Sequence, residues 1–309
     1  MAEHAHEVAW IAALILAALL FVGGPGPEAS RSVSHAWDLG HVAAFFLWTT
    51  LWLKSAAASR MPSHQRWFVA LTACVLLATL TEAAQWLIGR DASAGDGLRD
   101  LLGGALALSW AGRNAAGVRP AWRLAPYAAS LALLAAALAP LASAAADEWL
   151  GRRAFPTLAD FETPFEADRW EGSAAHTVDR SQASRGQASL RVDLVPARYS
   201  GIALVHAPRD WRGHRYLRFE VFNPGNEALE VYGRIHDGEH DRRGPSYRDR
   251  YNTAFRLAPG WNALTIDLEQ ARRAPASRSM DMSDIRGFML FASGLPAPRT
   301  IFLDAVRLE

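Results

Sequence analysis

The sequence predicts two unlike halves: an α-helical transmembrane bundle of about five spans, followed by an all-β sandwich. Three observations predict this. Apolar segments, each near the ~20 residues that a bilayer core requires, recur before residue 150. After residue 155 come short β-branched or aromatic runs separated by Pro and Gly turns. Charge divides at the same place: residues 1–150 are rich in Ala, Leu and Trp, whereas 155–309 carry most of the charge. A length of 309 residues fits about two domains of ~150 residues. The expected division is a helical domain over 1–146, a linker over 147–156 and a β domain over 157–309.

The apolar segments cover 7–22, 38–56, 67–88, 98–113 and 124–146. The first opens with MAEHAHE, which has no Lys or Arg, and no small-x-small cleavage site follows, so it reads as a retained span. Lys54, Arg60 and Arg66 join spans two and three, and Arg113, Arg119 and Arg123 join spans four and five. By the positive-inside rule those loops are cytoplasmic. The N-terminus is then inside and the β half is extracytoplasmic. Trp10, Trp37, Trp67, Trp86, Trp110, Trp122 and Trp149 fall near span ends, as an aromatic belt would. Cys74 is the single cysteine, which excludes an intramolecular disulfide and reads as a buried small hydrophobe. A net charge of +1 lacks the basic field of a nucleic-acid binder.

The predicted topology gathers polar groups at one depth. Asp38 opens span two, and His41 follows one turn deeper. Glu82 and Gln85 lie near the outer end of span three, and Asp96 and Asp100 open span four. Residues three or four apart share a helix face, so these are three polar pairs on three helices. Ionisable groups inside a membrane face a bundle interior or a wet cavity. Arg90, in the loop between, is placed to neutralise one or two of the carboxylates. Capping is the competing explanation for Asp38, Asp96 and Asp100, since acids favour helix N-termini. His41 and Glu82 lie within apolar runs, where a structural histidine–carboxylate hydrogen bond is the alternative to a functional site.

These residues resemble the VanZ-like family of small bacterial membrane proteins. Its pattern is an Asp-(Lys)-x-x-His at the start of a span, then Glu-x-x-Gln, an Arg, and Asp-x-x-x-Asn with a Gly-rich helix. The matching residues are Asp38, His41, Glu82, Gln85, Arg90, Asp96 and Asp100, then Gly103 and Gly104. Leu39 stands where Lys is common and Asp100 where Asn is common. The resemblance covers roughly residues 10–112 and implies an integral protein of the bacterial cytoplasmic membrane with a role at the envelope.

In the second half, SLRVDLV, YLRFEVFN, ALEVYGRIHD, NALTIDL, GFMLFA and TIFLDAVRL read as strands. Glu230, Tyr232, Arg234 and His236 alternate with Val231, Gly233 and Ile235, which gives one wet and one buried face. DFE (160–162), RGQASLRVD (185–193) and FLDAVRLE (302–309) resemble galactose-binding-like jelly rolls, a group that includes many carbohydrate-binding modules. The resemblance implies a structural calcium bridging the first and last strands, for which Glu162 and Asp304 are the matching carboxylates. Calcium takes six to eight oxygens, and a strand-end salt bridge or turn cap explains the same pair. The polar segment 236–252 joins two strands. Tyr232, Arg234 and His236 lead into it, and Tyr247, Arg250, Tyr251 and Asn252 follow. Aromatic faces flanked by hydrogen-bonding side chains suit a glycan, and a solvated loop with internal ion pairs is the alternative. No Walker, nucleophile-elbow or Gly-rich phosphate motif is present.

Three functions are consistent with this pattern. The first is an envelope membrane protein that handles lipid-linked or polysaccharide material through a sugar-binding outer domain. The second is a membrane enzyme using His41, oriented by Asp38 or Glu82, on an envelope lipid or phosphate-bearing substrate. The third is a non-catalytic anchor that displays a protein-binding β domain. The expected partners are therefore membrane lipid and a glycan or lipid-linked saccharide, and no nucleic acid.

Overall fold

The computed structural model describes residues 2–21, 24–26, 29–87, 94–112, 124–244 and 246–309, the side chains of 2–9 and 94 excepted. It forms two compact units, Met1–Ala145 and Ala146–Glu309.

The first unit is helical: α1 (Ala2–Leu19), α2 (Arg31–Leu53), the short α3 (Ala56–Ser59), α4 (Ser63–Leu87), α5 (Ala94–Gly112) and most of α6 (Leu124–Ala154). Ser30 starts α2, its hydroxyl accepting from Val33 N at 3.4 Å. Helix α5 packs chiefly on α2 and also on α4. Gly103 makes the α2–α5 approach close, since a Cβ there would lie 2.3 Å from Val42 O. The five expected segments all fall on helices, but only α4 and α6 are long and apolar enough to cross a membrane, among the described residues. That corrects the five-span reading. The reason is composition: α2 carries Arg31, Asp38 and His41, and α5 carries Asp96, Arg99 and Asp100. Along α6, Leu124, Leu131, Leu134 and Leu138 are exposed. Uncovered apolar surface of this extent suits contact with lipid or protein rather than water.

The second unit is a two-sheet antiparallel sandwich. Its strands are β1 (Thr157–Ala159), β2 (Trp170–Gly172), β3 (Ala175–Asp179), β4 (Ser189–Leu194), β5 (Tyr199–Leu204), β6 (Tyr216–Asn223), β7 (Leu229–Asp237), β8 (Tyr251–Leu257), β9 (Gly260–Asp267), β10 (Ile285–Ser293) and β11 (Arg299–Leu308). One sheet runs β3-β4-β11-β6-β9, with β1 also on β11, and the other runs β2-β5-β10-β7-β8. Alternate residues of the two inner faces form the core, including Leu190, Ile202, Leu217, Phe219, Ile235, Phe288 and Leu303. Phe219 and Phe288 meet at a centroid distance of 4.9 Å.

The segment 147–156, expected as a linker, is helix as far as Ala154. Asp147, 1% exposed, receives three hydrogen bonds of 2.7–3.0 Å from Arg169, which is itself 4% exposed. Arg169 also donates to Leu158 O at 2.6 Å. The last turns of α6 are therefore part of the sandwich unit.

Candidate functional sites

The helical unit buries one ionic cluster between α2 and α5. His41 Nδ1 lies 2.9 Å from Asp100 Oδ1, and His41 Nε2 lies 3.8 Å from Asp96 Oδ2, beyond hydrogen-bond reach. His41 is 5% exposed and Asp100 0%. Asp100 Oδ2 has no hydrogen-bond partner among the described residues. Arg99 joins the cluster from the side, at 2.6 Å from Asp96 Oδ1 and 2.9 Å from Asp38 Oδ2. Glu82 is close enough to bear electrostatically on Asp100.

The expected residues thus divide. His41, Asp96 and Asp100 come together directly, and Asp38 joins them through Arg99. The partner of His41 is Asp100, where Asp38 or Glu82 was expected; Asp100 is fully buried and does not serve as a solvated cap. Gln85 is structural, its Nε2 donating to Leu20 O at 2.7 Å. Arg90 lies outside the described residues. The neutralising cation among the described residues is Arg99, and its i,i+3 spacing from Asp96 was a usable sequence signal.

In the sandwich, the outward face of the five-stranded sheet carries the second cluster. Tyr232, Arg234 and His236 project there from β7, as the alternation required. Register sets Tyr232 opposite Phe291 of β10, and Phe291 opposite Gly201 of β5. Tyr232 stacks on Phe291 at 5.5 Å with 25° between the rings, and Tyr199 meets Phe291 edge-on at 5.9 Å. These three rings form an aromatic strip across β5, β10 and β7. Tyr199 and Phe291 escaped the sequence reading. Phe291 had a usable signal, because period two in GFMLFA turns it to the opposite face from Phe288 and Leu290.

Beyond Tyr232 the face becomes polar. Arg234 pairs in register with Asn252 of β8, and Arg250 Nε donates to Asn252 Oδ1 at 3.0 Å. The Arg250 guanidinium sits over the Tyr247 ring at 5.4 Å, and Tyr247 is 70% exposed. Tyr251 does not belong to this face: it packs against the core, one residue out of phase with Asn252. His236 lies opposite Gly287, where a Cβ would stand 2.8 Å from the ring. Burial, then the Arg234 charge, holds the His236 ring down at about 3.

The segment 236–252 holds a short helix, α7 (Gly238–Arg243), and is pinned from below. Arg278 donates to Asp237 at 2.5 and 2.8 Å and to Asp249 at 2.7 and 2.8 Å. Asp237 also accepts from His240 N at 3.1 Å and from Asp281 N at 2.6 Å. Arg234 donates to His240 Nε2 at 3.2 Å, which leaves Nδ1 to donate to Asp249 O at 3.1 Å. Internal ion pairs and an exposed aromatic–arginine edge therefore coexist in this segment.

Glu162 and Asp304 grip the same loop. Glu162 Oε1 accepts from Gln187 N at 2.7 Å and Ala188 N at 3.1 Å. Asp304 Oδ2 accepts from Ser184 N, Ser184 Oγ and Arg185 N at 2.8–3.1 Å. Backbone amides and the Ser184 hydroxyl thus bond one oxygen of each carboxylate, in the manner of a turn cap.

No family model and no curated protein matches the chain. Among solved structures, an exo-beta-agarase is 16% identical with a TM-score of 0.40, over 50% of this chain and 24% of that one. A family 11 carbohydrate-binding module from Clostridium thermocellum, in complex with a beta-1,3-1,4-mixed-linked tetrasaccharide, is 14% identical with a TM-score of 0.39, over 49% of this chain and 93% of that one. A non-crystalline cellulose specific carbohydrate-binding module, CBM28, is 12% identical with a TM-score of 0.37, over 50% and 93%. The chain spans about a quarter of the length of the agarase, and what each of these proteins binds is a property of that protein.

Proposed function

We propose that this chain is a membrane-embedded envelope protein whose sandwich binds polysaccharide on the outward face of its five-stranded sheet. The observation that carries this reading is the strip Tyr199–Phe291–Tyr232, which continues into Arg234, Asn252 and Arg250. Aromatic faces take up the apolar faces of sugar rings, and a few convergent polar groups fix orientation. The satisfied Arg278 network beneath holds these groups in place without the ligand. Helices α4 and α6 supply the membrane attachment, and the sandwich lies on the extracytoplasmic side. A glycan array probed with the full chain in detergent is expected to give hits that disappear in Tyr232→Ala. An array without hits, together with capture of a protein by the same face, favours the anchor reading.

A second reading has its own observation, the buried 2.9 Å contact between His41 and Asp100. With Nδ1 donating to Asp100, the ring is oriented and Nε2 is left to take or give a proton. Arg99 adds positive charge beside the cluster, where a phosphate-bearing envelope lipid would place negative charge. Mass spectrometry of lipids and saccharides retained by the gently purified chain tests this. A substrate should accumulate on Asp100→Asn relative to the unmodified protein, and identical profiles would argue for a structural histidine.

A further inference from the structure

The sandwich pairs most of its part-buried arginines with carboxylates. Arg169 meets Asp147, Arg278 meets Asp237 and Asp249, and Arg286 meets Asp284. Arg234 and Arg250 are different. Their partners among the described residues are neutral: Arg234 donates to His240 Nε2, and Arg250 to Asn252 Oδ1 with its guanidinium over Tyr247. Neither has a carboxylate within 4.0 Å among the described residues, and Arg234 Nε is buried without a hydrogen-bond partner. Burial first, then the like charge of Arg250, holds Arg234 down at about 10.

Two cations crowded on one edge, with donors left over, make a site for an anion. We infer that the Arg234–Arg250 end of the aromatic strip binds the carboxylate or sulfate group of an acidic polysaccharide. This rests on the glycan-platform reading above and adds the class of sugar. The spacing is suitable: Arg234 follows Tyr232 by two residues on one strand face, ~7 Å along β7. A ring stacked on Tyr232 and Phe291 therefore carries its anionic substituent to the guanidiniums.

Charge around the strip gives the chain a direction. Glu230 lies at the other end of the β7 face, hydrogen-bonded to the Tyr232 hydroxyl. Glu171 projects from β2 at the sheet edge and contacts His206 at 3.2 Å. Asp241, 3.4 Å from His236 Nε2, is half exposed and lies on α7 beside the cationic end. The His236 ring is uncharged at neutral pH, so it adds no third cation beside the two arginines.

The test uses the full chain in detergent with matched pairs of probes. One pair is oligogalacturonate and its methyl ester; the other is a sulfated galactan oligosaccharide and its desulfated form. The acidic member of at least one pair is expected to bind tenfold or more tightly than its neutral form, and the pair that responds says whether carboxylate or sulfate is taken. That preference should fall at least tenfold in Arg250→Gln and in Arg234→Gln, and weaken as salt rises. Arg250→Gln is the safer variant, being at the edge, and its unchanged melting temperature establishes that the fold is intact. Neutral members binding as tightly as acidic ones would overturn the acidic subsite and leave the platform standing. Failure of both members, where the array finds other neutral glycans, would overturn it equally. An array with no hits at all overturns the platform itself.

Discussion

The two units each bury an ionic network, and the networks are completed to different degrees. In the sandwich, both oxygens of Asp237 are bonded, by two Arg278 nitrogens and by the amides of His240 and Asp281. In the helical unit Asp100 is buried just as deeply, yet only Oδ1 has a hydrogen bond, to His41. A buried carboxylate with every lone pair engaged is a fastener, whereas one left half engaged costs stability. The first network serves the architecture beneath the aromatic sheet face, while the second leaves one buried carboxylate oxygen without a hydrogen bond among the described residues.

The sandwich network depends most on Arg278. Arg278→Ala leaves Asp237 charged, buried and without its cation, and should cost about 3–5 kcal/mol. Urea unfolding followed by tryptophan fluorescence measures it, and a cost below about 1 kcal/mol would remove the fastener reading.

Acid gives the next largest effect. The folded His236 titrates at about 3, below the 6.5 of an unperturbed ring, so the unfolded chain takes up its proton first as pH falls. The stability is complete above about 6.5 and is lost on the way down towards 3. By pH 4 the loss is on the order of 3 kcal/mol. Arg278 holds Asp237 and Asp249 below the usual carboxylate range, so their losses begin only near the foot of the window from about 6.5 to 4, in which most of the His236 loss falls. Melting temperatures across that window should fall steeply in the unmodified chain and much less in His236→Gln.

The smallest effect concerns the helical network. Asp100→Asn keeps an acceptor for His41 and relieves a buried, half-bonded charge, so stability should change by no more than about 1 kcal/mol. The same substitution at Asp237 should cost clearly more, because four donors lose their anion. Thermal melts of the two variants side by side sharpen the contrast, and equal losses would erase it.

How much of this was legible depends on whether the information is local. Period two placed Tyr232, Arg234 and His236 outward, because alternation along one strand is a local property. Tyr199 and Phe291 complete the strip only through the register of β5, β10 and β7, which no single run contains. Tyr251 was misassigned because the phase of β8 is set where the polar insertion ends, one residue from Asn252. In the helical half, the spacing of Asp38 and His41 marked the cluster. The choice of Asp100 over Glu82 as partner came from the close α2–α5 contact at Gly103. Span count was overread because apolar helices that pack on one another resemble spans until their buried charges are weighed.

The outward sheet face is proposed above as a sugar platform. Calorimetric titration of the full chain with the oligosaccharide that the array selects, compared with Phe291→Ala, tests it most directly. Phe291 joins the other two rings, so its loss should weaken binding at least tenfold, about 1.4 kcal/mol, while the melting temperature stays within a few degrees. Unchanged affinity in a folded Phe291→Ala protein would contradict the account.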